Sequence, residues 1–276
     1  MAVGPAGWVV AAWAVVSLLG PALALSPNAV DLTRLLAVPG AAGWLGFDEL
    51  GRPVLDRLIV GARVSFVVSM SVVATSALVG TVVGAASAWA GGVVDQVVVR
   101  VMDVFLAFPG ILLAIALAGV LGPGLDNVVL ALAAVGWVGF ARLARAQTLS
   151  VKARDHVRAA IALGVSGPAV VRRHVLPYIA APLVVEATFA VAGVVIAEAG
   201  LSFLGLGVQP PQPSWGNIIQ EGTRYMLVAP HLVLAPAGAI LVVVLAVNLL
   251  GDRLRDHLDV RSRGRARRAP ARSVSS

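Results

Sequence analysis

Charged residues are spaced very unevenly along this chain. None occurs from Met1 to Val30, between Arg63 and Asp95, between Asp103 and Asp126, or between Arg224 and Asp252. A bilayer-crossing helix needs about 20 apolar residues. These gaps therefore predict spans near 7–25, 64–90, 104–121 and 230–250. Asp126 and Arg142 bracket a further span near 127–146, whose last turns carry Arg142 and Arg145. Another falls near 180–203 and contains Glu186 and Glu198. The uncharged stretch after Glu198 holds Gly200, Gly205, Gly207, Gly216, Pro210, Pro211 and Pro213. That is too many breakers for a helix facing lipid, so its second half is read as a loop. The expectation is an all-α polytopic membrane protein with six transmembrane helices.

Composition strengthens this reading. The chain of 276 residues is 59% hydrophobic and only 13% charged, against about 45–50% and about 25% in soluble domains. Cysteine is absent, which excludes disulfides and thiolate metal sites. The formal charge of +7 is informative only through its placement. With the N-terminus inside, the inner connections hold sixteen Lys and Arg and the outer ones five, namely Arg34, Arg52, Arg57, Arg63 and Arg224. That bias places both termini in the cytoplasm. The tail, with Arg261, Arg263, Arg265, Arg267 and Arg268, then meets the anionic inner leaflet. It has no aromatic residues, so nucleic acid is not the expected partner. Ala22-Leu23-Ala24 resembles a signal-peptide cleavage site, but no basic segment precedes the apolar run and that run is long, so the first helix is read as retained. The organisation expected is residues 1–63 as first helix plus outer segment, 64–251 as a five-helix core with an inner loop at 147–177, and 252–276 as a basic tail.

Within the spans, Gly80 and Gly84 form a step that lets helix backbones approach. Pro109 and Pro236 each remove a backbone donor and are expected to kink the helices that contain them. Glu186 and Glu198 are twelve residues apart, about 120° around a helix, so they do not form a paired acid–base site. Glu198 is expected to contact the following loop. Glu186 is placed to meet an arginine of the inner connection.

The inner connection from Arg142 to Pro177 is too long for a simple link. It reads as two short helices. The first runs from about Arg154 to Leu163, with Val157, Ala160 and Ile161 on one stripe, and ends at Gly164. The second is capped by Ser166, has Pro168 in its first turn, and ends at Pro177, where the next span begins. A basic two-helix element at a membrane face fits a docking surface for a soluble partner. It equally fits an amphipathic segment lying on lipid.

Arg158-Ala159-Ala160, then Gly164, then His174-Val175-Leu176-Pro177 resemble the E-A-A-x-x-x-G-x9-I-x-L-P loop of binding-protein-dependent ABC importer permeases. Trp44 to Arg52 (WLGFDELGR) resembles the family's LGTDELGRD segment, and Asp103 to Pro109 its DxxLAFP segment. Leu201 to Pro211, Ser214 to Asn217, and Asn248 to Asp259 resemble its later motifs. The chain is thereby similar to the second permease subunit of the dipeptide, oligopeptide and nickel importers, over about residues 40–260. The resemblance implies a type I ABC importer permease fold in a bacterial inner membrane. It implies a homologous second permease, two ATPase subunits and an extracytoplasmic solute-binding protein as partners. Arg158, Ala159, Ala160, Gly164, His174, Leu176 and Pro177 would form the ATPase-coupling loop. Short peptides are the cargo expected, with nickel, free or chelated, as the alternative. The family's glutamate is Arg158 here, a reversed charge, and Pro53 replaces an aspartate.

Other chemistry is weakly represented. A Walker A loop needs Gly-Lys-Ser/Thr, and the only lysine, Lys152, follows Val151. No catalytic site, cofactor or metal is therefore expected. His156, His174, His231 and His257 do not stand at metal-ligand spacing, and no G-x-S-x-G occurs. A self-contained secondary carrier is the remoter alternative, and its two membrane carboxylates lack an evident partner set.

Overall fold

The computed structural model describes residues 4–40 and 43–267. It contains ten α-helices among the described residues and no strand, only two isolated bridges in the segment before α2. α1 is Pro5–Leu19, α2 Val54–Ala90, α3 Gly92–Leu106, α4 Gly110–Leu121 and α5 Leu125–Lys152. α6 is Asp155–Ala162, α7 Gly167–Val170, α8 Leu176–Phe203, α9 Trp215–Thr223 and α10 His231–Arg267. A π turn, Val171–Val175, joins α7 to α8, and the whole of Gly167–Phe203 is one helix long and apolar enough to span. α2, α5 and α10 meet the same criterion. The arginine side chains proposed above for the inner leaflet, and residues 268–276, lie outside the described residues.

The six expected spans correspond to four long helices, one bent pair and one short helix. α1 has 15 residues, about 22 Å, and ends at Leu19 rather than near residue 25. The span expected at 104–121 is not one helix. α3 and α4 meet at 85°, with Pro109 between them rather than inside a helix. Proline lacks the N–H that would continue the ladder and drives the preceding residue out of helical geometry. α4 alone, 12 residues or about 18 Å, is too short to span.

Small residues decide the packing. A Cβ on Gly80 would lie 2.4 Å from the Trp137 carbonyl oxygen, and one on Gly84 2.1 Å from that of Ala141. α2 and α5 thus cross at backbone contact, as dispersion-driven association in lipid favours. Trp13 of α1 packs on Phe66 of α2 and beside Trp215 of α9, and the Trp215 indole donates to the Leu58 carbonyl at 2.9 Å. α9 occupies the region expected to be loop. Ser214 caps it by accepting from the Asn217 N–H at 3.2 Å, and Trp215, Gly216, Asn217 and Ile218 are buried. Most of the breakers lie ahead of it, in the turn from Gly205 to Pro213, while Gly200 falls within α8 and Gly216 within α9 itself.

Candidate functional site

α6 lies at the end of the bundle where α2 and α5 finish and Gly167–Phe203 begins. Arg154 stands at its N-cap and Asp155 in its first turn, where negative charge complements the helix dipole. Val157 and Ala160, one turn apart, are buried with Ala85, Ala144, Val151, Val170, Val175 and Ile179. That cluster ties α6 to α2, α5 and α8 at once. The helix stops as the sequence predicts. The Val165 N–H donates to the Ala160 carbonyl at 3.1 Å, and Gly164 takes φ +81°, a Schellman-type ending that favours glycine. No atom lies within 4 Å of a Cβ built on Gly164, so backbone conformation, not space, requires it.

Aromatic and cationic side chains fix the element from its sides. His156 stacks on Tyr178 at 5.9 Å and lies 6.0 Å from His174. The Arg154 guanidinium sits 4.2 Å over the Tyr178 ring, an attractive cation–π placement. Lys152 donates to the Trp89 carbonyl at 2.7 Å, placing a cation at the C-terminal end of α2, where the helix dipole favours it. Asp95 and Arg145 form a bidentate pair at 2.7 and 2.6 Å nearby.

Of the residues singled out from sequence, Ala160 is buried, His174 half-buried against His156, and Arg158, Ala159, Gly164, Leu176 and Pro177 exposed. With Ile161 (44% exposed) and Leu163 (85%), Arg158 and Ala159 form an outward face, apolar and basic. Three local expectations fail. Ile161, read on one stripe with Val157 and Ala160, faces outward with Arg158. Ser166 stands at the N-cap of α7 without a side-chain bond. Helix geometry runs through Pro177 instead of ending there. The π turn lies just ahead of it, loosening the ladder where the proline ring would meet the Arg173 carbonyl.

Residues 80–264 match the family described as binding-protein-dependent transport system inner membrane component. The chain belongs to that family. It is 41% identical over 232 residues to the glutathione transport system permease protein GsiD of Pectobacterium atrosepticum, covering 84% of this chain and 77% of that one. It is 42% identical over 237 residues to the GsiD protein of Escherichia coli O6:K15:H31, covering 86% and 78%. A chain of the MetNI methionine ABC transporter in an inward-facing conformation shares the fold, with TM-score 0.54 and 19% identity over 74% of this chain and 93% of that chain. The protein is thus a multi-pass permease subunit of an ABC importer. Such a permease works with a partner permease, an ATPase and a solute-binding protein.

At the opposite end of the permease lies a buried charge network that sequence reasoning passed over. Asp48 accepts from the Leu50 and Arg52 backbone N–H groups, each at 2.9 Å, and from Arg52 Nε at 2.7 Å. Arg57 Nη1 donates to Asp48 Oδ2 at 2.5 Å and to Glu221 Oε2 at 2.7 Å. Arg52 also reaches Glu49 and Glu221. The carboxylates of Asp48, Glu49 and Glu221 converge within 4.8 Å, and the two guanidinium groups supply the charge that holds them together. The network joins the outer segment, the start of α2 and α9. The signal available was a dense run of charges, Asp48-Glu49-Leu50-Gly51-Arg52, in a chain otherwise poor in them.

The two membrane carboxylates differ from expectation. Glu198 is 1% exposed and accepts from Ser65 of α2 at 2.8 Å and from Ser202 at 2.7 Å, so its partners are helices and not the loop. Glu186 makes no ion pair among the described residues, and Gly139 of α5 lies beside it.

Proposed function

We propose that this permease carries short peptides, glutathione among them, from a solute-binding protein into the cytoplasm. In this reading α6 is the helix through which separate ATPase subunits drive it. The observation that carries the second part is the division of α6. Val157 and Ala160 anchor it among the ends of three spanning helices, while Arg158, Ala159, Ile161 and Leu163 face outward. A push on the outward face therefore moves α2, α5 and α8 as a unit, which is what rigid-body switching between inward- and outward-facing states requires. The short, thin exposed surface suits insertion into a groove of a soluble partner.

The relatives named for glutathione transport support the peptide cargo. The excess of Lys and Arg in the connections on the α6 side, sixteen against five, supports cytoplasmic termini and a cytoplasmic α6. The absence of a Walker A sequence supports ATP hydrolysis by partner subunits only. The partner set in this reading is one homologous permease, two ATPases and one binding protein.

Affinity capture of the tagged chain from its native membrane tests the assembly. Co-recovery of a second permease and two ATPases is expected, together with ATPase activity that rises when peptide-loaded binding protein is added. Transport by the purified chain alone would overturn the reading. Uptake of nickel and not of peptides by the assembled complex would overturn the cargo.

A further inference from the structure

The bend between α3 and α4 interrupts a span near its middle. Ala107, Phe108, Pro109 and Gly110 are all exposed there. A Cβ on Gly110 would meet Val135 of α5 at 3.3 Å, and one on the adjacent Gly136 would meet Ser76 of α2 at 2.7 Å. Ser76 lies well inside the charge-free run between Arg63 and Asp95, so the break is level with the interior of the span. Among the described residues, no hydrogen bond reaches the carbonyls of Leu106, Ala107 and Phe108 or leaves the N–H groups of Gly110 and Ile111. Hydrocarbon offers such groups no partner. Irregular backbone at this depth persists only against protein or in a water-filled cavity.

The side chains leading to the break give an independent indication. Gln96, Arg100, Asp103 and Ala107 follow one another at spacings of four, three and four, and so share one face of α3. All four are exposed. Arg100 and Asp103 are 86% and 54% exposed and approach only to 3.8 Å. Arg100, counted above with the inner connections, and Asp103 stand toward the inner end of the bent pair, where charged side chains turn toward protein or water rather than lipid. A dry contact with another helix would desolvate both ions and the free backbone groups together, whereas water and a polar solute satisfy them.

We infer that this face, Gln96–Arg100–Asp103 continuing into Ala107–Gly110, lines the aqueous path through which solute crosses. The inference rests on the importer reading above and adds where in this chain the path runs. Donors and acceptors lie side by side along it, which suits polar, zwitterionic solutes passing without tight capture. Valines at 93, 97, 101 and 104 flank this face.

The chain has no cysteine, so single cysteines report local access directly. Asp103→Cys and Ala107→Cys are compared with Leu245→Cys, an exposed position on α10. Each is introduced into the assembled complex in proteoliposomes and treated with a small cationic thiosulfonate. Ala107→Cys is expected to react at least about tenfold faster than Leu245→Cys, and binding protein loaded with glutathione, plus ATP, is expected to change that rate. Gln96→Cys serves if Asp103→Cys does not assemble. Reaction at the Leu245→Cys rate, in a complex whose ATPase is still stimulated by loaded binding protein, would overturn the path while leaving the importer reading intact. Loss of stimulation in the complex carrying the unsubstituted chain would count against the importer reading alone, whatever the labelling.

Discussion

Replacing Arg57 with methionine should loosen the outer segment without unfolding the membrane bundle. Methionine fills most of the volume of the arginine stem, so lost charge and hydrogen bonding dominate. Arg57 is 2% exposed and its Nη1 serves both Asp48 and Glu221. Asp48 keeps Arg52 and two backbone donors, so it is not left as an isolated buried ion. The loss is therefore two charge-assisted hydrogen bonds, at about 1.5 kcal/mol each at the low end of their range. The sum, about 3 kcal/mol, is roughly a hundredfold in an opening equilibrium. Hydrogen exchange reads it where it acts. The Leu36 N–H donates to the Asp48 carbonyl and the Phe47 N–H to the Ala37 carbonyl, both at 2.9 Å. Both amides should exchange roughly a hundredfold faster in Arg57→Met while amides of α5 do not change. Exchange within about threefold of the parent at both amides would refute the claim that this network holds the segment to α2 and α9.

Other consequences are equally open to measurement. Gly84→Val should cost about 3 kcal/mol or more, since its Cβ would meet the fixed backbone of α5. Gly119→Val, where nothing lies within 4 Å, should leave the thermal midpoint in detergent unchanged. Gly164→Val forces a β-branched residue to φ +81°, a strain of about 1–2 kcal/mol. Uptake should fall while stimulated ATPase and membrane insertion persist, and undiminished uptake would sink the coupling role of α6. Glu198→Gln keeps an oxygen for Ser65 or Ser202 and should retain uptake, whereas Glu198→Leu strands two buried hydroxyls at about 1–3 kcal/mol each. Failure of Glu198→Gln with normal folding would point to a proton role instead.

Particular elements show why some features were legible in sequence and others were not. Long uncharged runs located α2, α5 and α10 because burial in lipid forbids charge over many consecutive residues, and α8 stood out as an apolar stretch despite Glu186 and Glu198. α6 was legible through its short apolar stripe and its terminal Gly164, both local signals. α9 was missed because its helix is short and its neighbours are rich in proline and glycine. What places it is docking of Trp215 on α1 and α2 and packing of α9 against α8 and α10, tertiary contacts all. The break at Pro109 was read as a kink, since sequence gives the proline but not the angle between the two halves.

By itself, the sequence determined the membrane class, the family and the approximate positions of the spanning helices. Hydrophobic length, charge placement and ordered motifs are properties of consecutive residues. Only the tertiary structure decided which glycines sit at backbone contact. It also showed that Asp48, Arg52, Arg57 and Glu221 form one buried network, and that Glu198 is held by serines of two helices. Those facts depend on groups up to 169 residues apart in the chain. A buried charge is tolerated only by the partners that packing brings to it, and no local pattern carries that information.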